Sequence, residues 1–228
     1  EWRKRVHQLV VLRVRIQNNG NLQIVFGTGG ENHAGSMWIA ALSDLMNNSL
    51  INASQLATNS TKGFVAPASL ADFNNNGYLD IIVQSYAGSI MRFDGINLAQ
   101  KWSVTIANSE SSAAPVIGNF TGGDLTPDVF AVCNQGVAPS FFDHFQVMID
   151  GETGNIEWMD SISDLHFASA NAFDSNNDGR DEVLISVNNI SSYFEHELLL
   201  IDFENDTVSS ITSAVGGVNL ASSPLVTD

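Results

Sequence analysis

Apolar residues come in short clusters along the whole chain, separated by runs of Asn, Asp, Ser and Gly. Residues 10–16 place apolar side chains at every second position with Arg13 and Arg15 between them, and short apolar triplets occur at 81–83 and 183–185. Alternation with period two and short apolar runs bounded by turn formers both predict β-strands. A short helix is predicted only at 43–46, and the polar segment 47–62 is predicted to be an inserted loop. The pattern therefore predicts an all-β protein.

A polar loop followed by an apolar strand recurs along the chain. The segments 70–83, 117–130 and 172–185 share this plan, and 15–25 has the same frame without acidic residues. The loop glycines Gly20, Gly77 and Gly179 are 57 and 102 residues apart. With one copy between the last two, the mean period is about 53 residues, which indicates a repeat architecture.

An Asp-Gly turn followed by a tryptophan recurs in step with these loops. Trp102 and Trp158 each lie eight residues after the aspartate of such a turn, and Trp2 fits the same place. Repeats of about 50 residues made of several short strands are typical of β-propeller blades. We therefore predict one propeller segment of about four blades, within a longer chain that closes with about seven, a four-bladed closure being the alternative. The predicted blades are 10–65, 66–112, 113–165 and 166–217, and the next blade starts at 218–228.

Two of the loops carry oxygen donors at alternate positions and a glycine at the sixth. Counted from the first acid, positions 1, 3, 5 and 9 hold side-chain oxygens, and position 7 offers a backbone carbonyl. Ca²⁺ prefers hard oxygen ligands in such numbers. The predicted calcium ligands are Asp72, Asn74, Asn76, Tyr78 (carbonyl) and Asp80 in one loop, and Asp174, Asn176, Asp178, Arg180 (carbonyl) and Glu182 in the other. The alternative is turn chemistry, in which these side chains only cap their own backbone.

The acid content ranks these loops. The loop at 174–182 has the most carboxylates and is predicted to bind Ca²⁺ more tightly than the loop at 72–80. The third loop has one inserted residue and Leu125 where glycine is expected, so it stays open between a metal site and a turn. Its candidate ligands are Asn119, Thr121, Asp124 and Asp128. The first loop has Arg15, Gln17, Asn19 and Gln23 in the ligand positions and is predicted to be metal-free.

These features resemble a known class of propellers. The loops at 72–80 and 174–182, the Ala66-Pro67 that precedes one of them and the Phe26-Gly27 pair are similar to the FG-GAP or VCBS repeats of integrin α-type propellers. The turn at 150–158 resembles the blade-closing turn of quinoprotein-like propellers. The resemblance covers nearly the whole chain. It implies a calcium-binding propeller that acts in extracellular or cell-surface recognition, adhesion or scaffolding.

Charge and modification signals favour the same setting. The chain has 25 acidic and nine basic residues, a net charge of −16, which repels nucleic acid. No run approaches the roughly 18 apolar residues of a membrane span, so no direct membrane insertion of this segment is predicted. The Asn-x-Ser/Thr acceptor pattern for N-glycosylation occurs at Asn47, Asn52, Asn59, Asn119, Asn189 and Asn205. We expect a protein or glycan partner at the cell surface, in addition to the remaining blades of the same chain.

Enzyme signatures are weak. The sequence holds no nucleophile elbow, HExxH motif or phosphate loop, and its five histidines lack metal-ligand spacing. The aromatic cluster at 141–145 is interpreted as part of a blade insertion, either packed or exposed for recognition. The prediction is a binding module and not an enzyme. The alternative is a segment of a secreted carbohydrate-active or quinoprotein-like enzyme whose catalytic residues lie outside this chain.

Overall fold

A computed structural model describes residues 6–10, 16, 20–161, 164–165, 167–189, 195–212, 215–216 and 223–226. The chain divides into two compact units, Glu1–Thr105 and Ile106–Asp228. In the described part of the chain, each unit holds two antiparallel sheets. Prediction of an all-β protein is thus confirmed, and the short helix predicted at 43–46 is present as α1 (Leu42–Met46).

The first unit is built from two four-stranded meanders. The first sheet runs in the order β1 (Val6–Val10), β2 (Gln23–Thr28), β3 (Gly35–Ala41) and β4 (Ser54–Asn59). The second sheet runs in the order β5 (Ser69–Ala71), β6 (Asp80–Gln84), β7 (Ser89–Phe93) and β8 (Gln100–Thr105). Neighbours in sequence are neighbours in each sheet, which is the strand arrangement of a propeller blade.

One hydrophobic cluster joins the two sheets of the first unit. Val25 and Met37 of the first sheet pack with Ile81 and Phe93 of the second, around the buried ring of Phe64. Each fully buried side chain of this size contributes about 1.5–3 kcal/mol through removal of its surface from water. Face-to-face packing between these sheets therefore supplies much of the unit's stability.

The second unit repeats this plan with extra strands. Its first sheet contains β9 (Ser109–Glu110), β10 (Val116–Gly118), β11 (Asp128–Val137), β12 (Ser140–Ile149) and β13 (Ile156–Asp160), in the order β10-β11-β12-β13 with β9 added to β11. Its second sheet contains β14 (Asp164–Leu165), β15 (Asn171–Phe173), β16 (Glu182–Asn189), β17 (Glu195–Asp202), β18 (Thr207–Ser210) and β19 (Val215–Gly216). Here the order is β14-β16-β17-β18, with β15 on β16 and β19 on β17.

The core of the second unit again lies between its two sheets. Phe130 and Met148 of the third sheet pack with Val183 and Ile185 of the fourth. The ring of Trp158 lies edge-on to Phe203 with 5.2 Å between the centroids. Its indole Nε1–H donates to Asp206 Oδ1 across 3.0 Å. The repeated tryptophan thus packs between two sheets in this unit.

Two sequence interpretations need correction. The segment 47–62, predicted to be an inserted loop, contains β4, which pairs with β3 from Gly35↔Asn59 to Ile39↔Ser54. The polar sequence does not indicate this strand, because none of its side chains is buried. The aromatic cluster at 141–145, interpreted as an insertion, lies within β12, which pairs with β11 over its length. Phe142 in this strand is 61% exposed.

Candidate functional site

The predicted metal loops occupy one topological position. Residues 72–79, 119–127 and 174–181 each join the first and second strands of a meander. The ninth loop position is then the first residue of the second strand. The Asp-Gly turns join the third and fourth strands, so antiparallel pairing brings them to the same end of each sheet.

The loop at 72–80 closes on its first aspartate. Asp72 Oδ1 accepts from the backbone N–H of Asn76 across 3.0 Å, and Oδ2 accepts from that of Gly77 across 2.6 Å. Asn76 Oδ1 accepts from the N–H of Tyr78 across 2.8 Å. Gly77 has φ +84°, a conformation that glycine adopts without steric cost. The side chains of Asp72 and Asn76 therefore close the loop by accepting its backbone N–H groups.

The loop at 174–182 has the same construction. Asp174 accepts from the backbone N–H of Asp178 across 3.1 Å and from that of Gly179 across 2.9 Å. Asp178 Oδ1 accepts from the N–H of Arg180 across 2.8 Å, as Asn76 does in the other loop. Gly179 has φ +88°. The repeat noted in the sequence is thus a repeat of hydrogen bonds as well as of residue types.

Asp80, at the ninth loop position, is the first residue of β6 and binds groups of the sheet. Asp80 is fully buried and accepts from Arg92 Nε across 3.0 Å and from Arg92 Nη2 across 2.5 Å. Its other oxygen accepts from the N–H of Gly95, in the Asp-Gly turn, across 2.7 Å. The guanidinium of Arg92 also lies over the ring of Phe73, 4.5 Å from its centroid. Sequence reasoning missed Arg92, because it lies on the neighbouring strand and outside the loop.

The same position is buried and polar in the other three sheets. Gln23, Asp128 and Glu182 each begin the second strand of their sheet, and each is at most 4% exposed. Asp128 accepts from Thr121 and, more weakly, from the N–H of Gly151 across 3.4 Å. Glu182 Oε2 accepts from the N–H of Ser175 across 2.7 Å. The first sheet places the uncharged Gln23 at this position, so burial here does not require a carboxylate.

Burial and neighbouring charges shift the pKa of several carboxyl groups. Burial raises the pKa of Asp128 to about 6, although hydrogen bonds from Thr121 and Gly151 oppose the shift. Burial, then the charges of Asp150 and Asp124, raises the pKa of Glu157. Burial also acts to raise the pKa of Asp94. Hydrogen bonds from Asn97, Lys101 and Ile96 outweigh that burial, and the net shift is downward.

Hydrogen bonds join the third loop (119–127) to the fourth loop (174–181). The four candidate ligands of the third loop do not all contact one another. Asn119 Nδ2 donates to the carbonyl of Gly179 across 2.7 Å, and the Asn119 N–H donates to Asp181 Oδ2 across 2.7 Å. Arg180 Nη1 donates to Asn119 Oδ1 across 2.9 Å and to the Thr121 carbonyl across 2.6 Å. Thr121 and Asp128 do meet, with 3.0 Å between Oγ1 and Oδ2. Asn119 is thus committed to the neighbouring loop.

A cleft of about 540 Å³ lies between these two loops. Asp124, Asp178 and Asp181 contribute acidic groups to its lining, together with Arg180 and the fully exposed Leu125. Asp124 Oδ1 accepts from the N–H of Thr126 across 2.8 Å. The side chain of Arg180 is a second feature that the sequence does not reveal, because its partners Asn119 and Thr121 belong to another loop.

The donor sets fit calcium to different degrees. Among the described residues, no three His, Cys, Asp or Glu side chains lie together as a metal site. A Ca²⁺ ion would therefore also need the amide and carbonyl oxygens that these loops provide. By residue type the loop at 174–182 offers Asp174, Asn176, Asp178, Glu182 and the Arg180 carbonyl, and each of these side chains accepts a backbone N–H of the loop. The loop at 72–80 fits less well, because Arg92 places a positive charge on its ninth residue.

The glycosylation acceptors differ in their surroundings. Asn47 and Asn52 are exposed near α1, and Asn52 Nδ2 donates to Asp44 across 3.0 Å. Asn205 is also exposed. Asn59 accepts from the N–H groups of Thr61 and Lys62. Asn119 holds the fourth loop, as described above, and the side chain of Asn189 is outside the described structure.

No protein-family model and no curated protein sequence matches the chain. Solved structures similar to it include the Dos1 propeller, with 9% identity, a TM-score of 0.47, and coverage of 86% of this chain and 47% of that one. A europium-containing methanol dehydrogenase gives 12% identity, a TM-score of 0.37, and coverage of 68% and 27%. BamB from Moraxella catarrhalis gives 10% identity, a TM-score of 0.30, and coverage of 95% and 68%. The chain thus spans about half the length of the Dos1 propeller.

The described residues contain no helix long and apolar enough to cross a bilayer. The blade-like character of the chain rests on its four-stranded meanders, which follow one another in sequence order. The integrin-type family, the number of blades in a closed ring and the predicted blade boundaries stay predictions.

Proposed function

We propose that this chain is part of a calcium-binding β-propeller that acts as an extracellular recognition, adhesion or scaffold module. The observation that carries the proposal is the shared construction of the loops at 72–80 and 174–182. In both, the first aspartate accepts from the backbone N–H groups of positions 5 and 6. These bonds close each loop on its first aspartate, and the further oxygen donors at positions 3, 5 and 7 belong to the same short turn.

Calcium would act on the fold and would take no part in a reaction. The ion would be held by Asp174, Asn176, Asp178, the Arg180 carbonyl and Glu182, whose Oε2 also accepts from the Ser175 N–H. Arg180 and Asp181 also bind the third loop. An ion at this place would therefore stabilise two neighbouring loops and the cleft between them. Such rigid loop ends are typical places for partner recognition on a scaffold of strands.

Exposed apolar side chains and the negative charge of the chain support a protein or glycan partner at its surface. Val137 and Phe142 flank the tip of the β11–β12 hairpin, and each is 61% exposed. Exposed aromatic and aliphatic groups of this kind are common anchors in protein and glycan recognition. The net charge of −16 favours a partner that is not strongly acidic. A secreted setting accords with the exposed acceptors Asn47 and Asn52.

The test is calorimetric titration with Ca²⁺, together with thermal melts with and without chelator. We expect Ca²⁺ at about 100 times its dissociation constant to add about 2.7 kcal/mol to the free energy of unfolding. Asp174→Ala should remove most of this gain, and Asp72→Ala should remove less. Glu152→Ala is the matched control, because it removes one exposed acid outside the loops and should leave the gain intact.

Two results would count against the proposal. Absence of both binding heat and stabilisation would mean that the loops are turns capped by their own side chains. An equal loss in Asp174→Ala and Glu152→Ala would mean that Ca²⁺ only screens the acidic surface.

A further inference from the structure

Asn76 and Gly77 form an Asn-Gly pair at positions 5 and 6 of the loop at 72–80. Both residues are exposed. A side-chain amide is attacked most readily by the backbone nitrogen of a following glycine, because that residue has no side chain to shield it. A Cβ placed on Gly77 would find no heavy atom within 4 Å beyond its chain neighbours. Other parts of the chain therefore leave Gly77 uncovered on the side where a Cβ would stand.

Two groups of the loop contact the atoms that would react. Asp72 Oδ2 lies 2.6 Å from the nitrogen of Gly77, where it can accept the proton that the nitrogen loses on attack. The N–H of Tyr78 lies 2.8 Å from Asn76 Oδ1, where it can stabilise negative charge that develops on this oxygen. A base and an oxyanion donor thus flank the pair.

We propose that Asn76 is a self-modifying site that deamidates within its own loop. The nitrogen of Gly77 attacks Cγ of Asn76 and forms a new C–N bond, and its proton passes to Asp72. The bond from Cγ to the side-chain nitrogen breaks, and ammonia leaves with that proton. Water then opens the cyclic imide at one of its two carbonyls and yields aspartate or isoaspartate. The net change consumes one water and releases one ammonia, with no oxidation or reduction.

The aspartate product would change the chemistry of the loop. A carboxylate at position 5 is what the loop at 174–182 already has in Asp178, so the two loops would then carry acids at positions 1, 5 and 9. The isoaspartate product would lengthen the backbone between Asn76 and Gly77 and disturb the bonds to Asp72. The modification itself requires no bound calcium. Only its effect on metal affinity rests on the proposed function.

The sequence contains an internal control. Asn19-Gly20 is the same dipeptide at the same positions of the first loop, but Arg15 stands where the other loop has Asp72. Asn19 lies outside the described residues, so this comparison uses the sequence alone. Because a base is missing at position 1, we expect Asn19 to deamidate more slowly than Asn76.

The experiment is peptide mapping by mass spectrometry during incubation of the purified chain with chelator at neutral pH. Asp72→Asn keeps an acceptor for Gly77 but removes the base, and Asn76→Asp provides the product standard. Deamidation at Asn76 should outpace that at Asn19, and Asp72→Asn should slow it about tenfold. This is less than the roughly 10²–10⁴-fold of a positioned base in a closed active site, because the loop is open to water.

Equal rates at Asn76 and Asn19 would overturn the proposal, as would a rate at Asn76 that is unchanged or higher in Asp72→Asn. A parallel incubation with Ca²⁺ separates the modification from the proposed function. If the loop binds the ion, Asp72 and Asn76 are held and deamidation slows. If Ca²⁺ has no effect while the base dependence holds, the modification stands and calcium binding at this loop does not.

Discussion

The second and third sheets place the same residue in the same position and surround it differently. Asp80 and Asp128 each begin the second strand, each is buried, and each accepts from the glycine of the Asp-Gly turn. Two residues further along, Ile82 pairs with Arg92 in the second sheet, whereas Phe130 pairs with Met148 in the third. Arg92 contacts the carboxylate of Asp80, whereas the corresponding strand position in the third sheet holds the uncharged Met148.

The ninth loop position holds a buried hydrogen-bond acceptor in both sheets. Whether a positive charge compensates that acceptor depends on the residue of the neighbouring strand. Arg92 gives Asp80 two hydrogen bonds and an opposite charge. Asp128 relies on Thr121 and Gly151, and its burial raises the pKa to about 6. The ninth loop position thus tells us little about metal affinity until the adjacent strand is known.

The largest expected effect comes from making the second sheet like the third. Arg92→Met should destabilise the chain by about 3–5 kcal/mol, because it leaves the charge of Asp80 buried and uncompensated. Urea unfolding at neutral pH would measure the loss. The double variant Arg92→Met/Asp80→Asn should recover part of this loss, since it removes the orphaned charge. If the loss of the double variant equals the sum of the losses of Arg92→Met and Asp80→Asn, the two side chains are not coupled.

A pH series tests the third sheet. The pKa of Asp128 is raised to about 6 in the folded chain, whereas an unfolded aspartate titrates near 4. The folded state therefore favours the protonated form, and its stabilising contribution is present below about pH 4 and lost as the pH rises through about 6. With chelator present, the free energy of unfolding of Asp128→Asn should rise relative to that of the original chain by about 2.7 kcal/mol between about pH 4 and pH values above about 6, from about two pKa units at about 1.36 kcal/mol each. Parallel stability curves for the two proteins would contradict the shift.

The smallest expected effect concerns the bonds between the third and fourth loops. Arg180→Met removes the bonds to Asn119 and Thr121 but keeps the backbone carbonyl predicted to bind metal. We expect a loss of about 1–2 kcal/mol from these partly exposed hydrogen bonds, measured by urea unfolding. Lys101→Met, which removes an exposed cation from Asp94, is the control and should cost less. An equal loss in both variants would mean that the two loops are not coupled through Arg180.

Much of the architecture was predictable because it is local. Period-two alternation and turn residues located the second strands after the polar loops, and the spacing of Asp, Asn and Gly predicted loops of one construction. The helix near Ser43 was also predicted. β4 was not predicted, because Ser54–Asn59 is polar and buries no side chain. Backbone hydrogen bonds to β3 hold this strand in the sheet.

The sequence by itself determined the repeat: a loop that closes on its first aspartate, a strand that follows at the ninth position, and a turn that begins with aspartate. These depend on hydrogen bonds and backbone conformations within a few residues. Only the tertiary structure decided which cation meets Asp80, why Asp128 titrates high and where Asn119 binds. Those contacts join residues on different strands or loops, up to 62 positions apart in the case of Asn119 and Asp181. Their energies depend on burial, which local sequence does not specify.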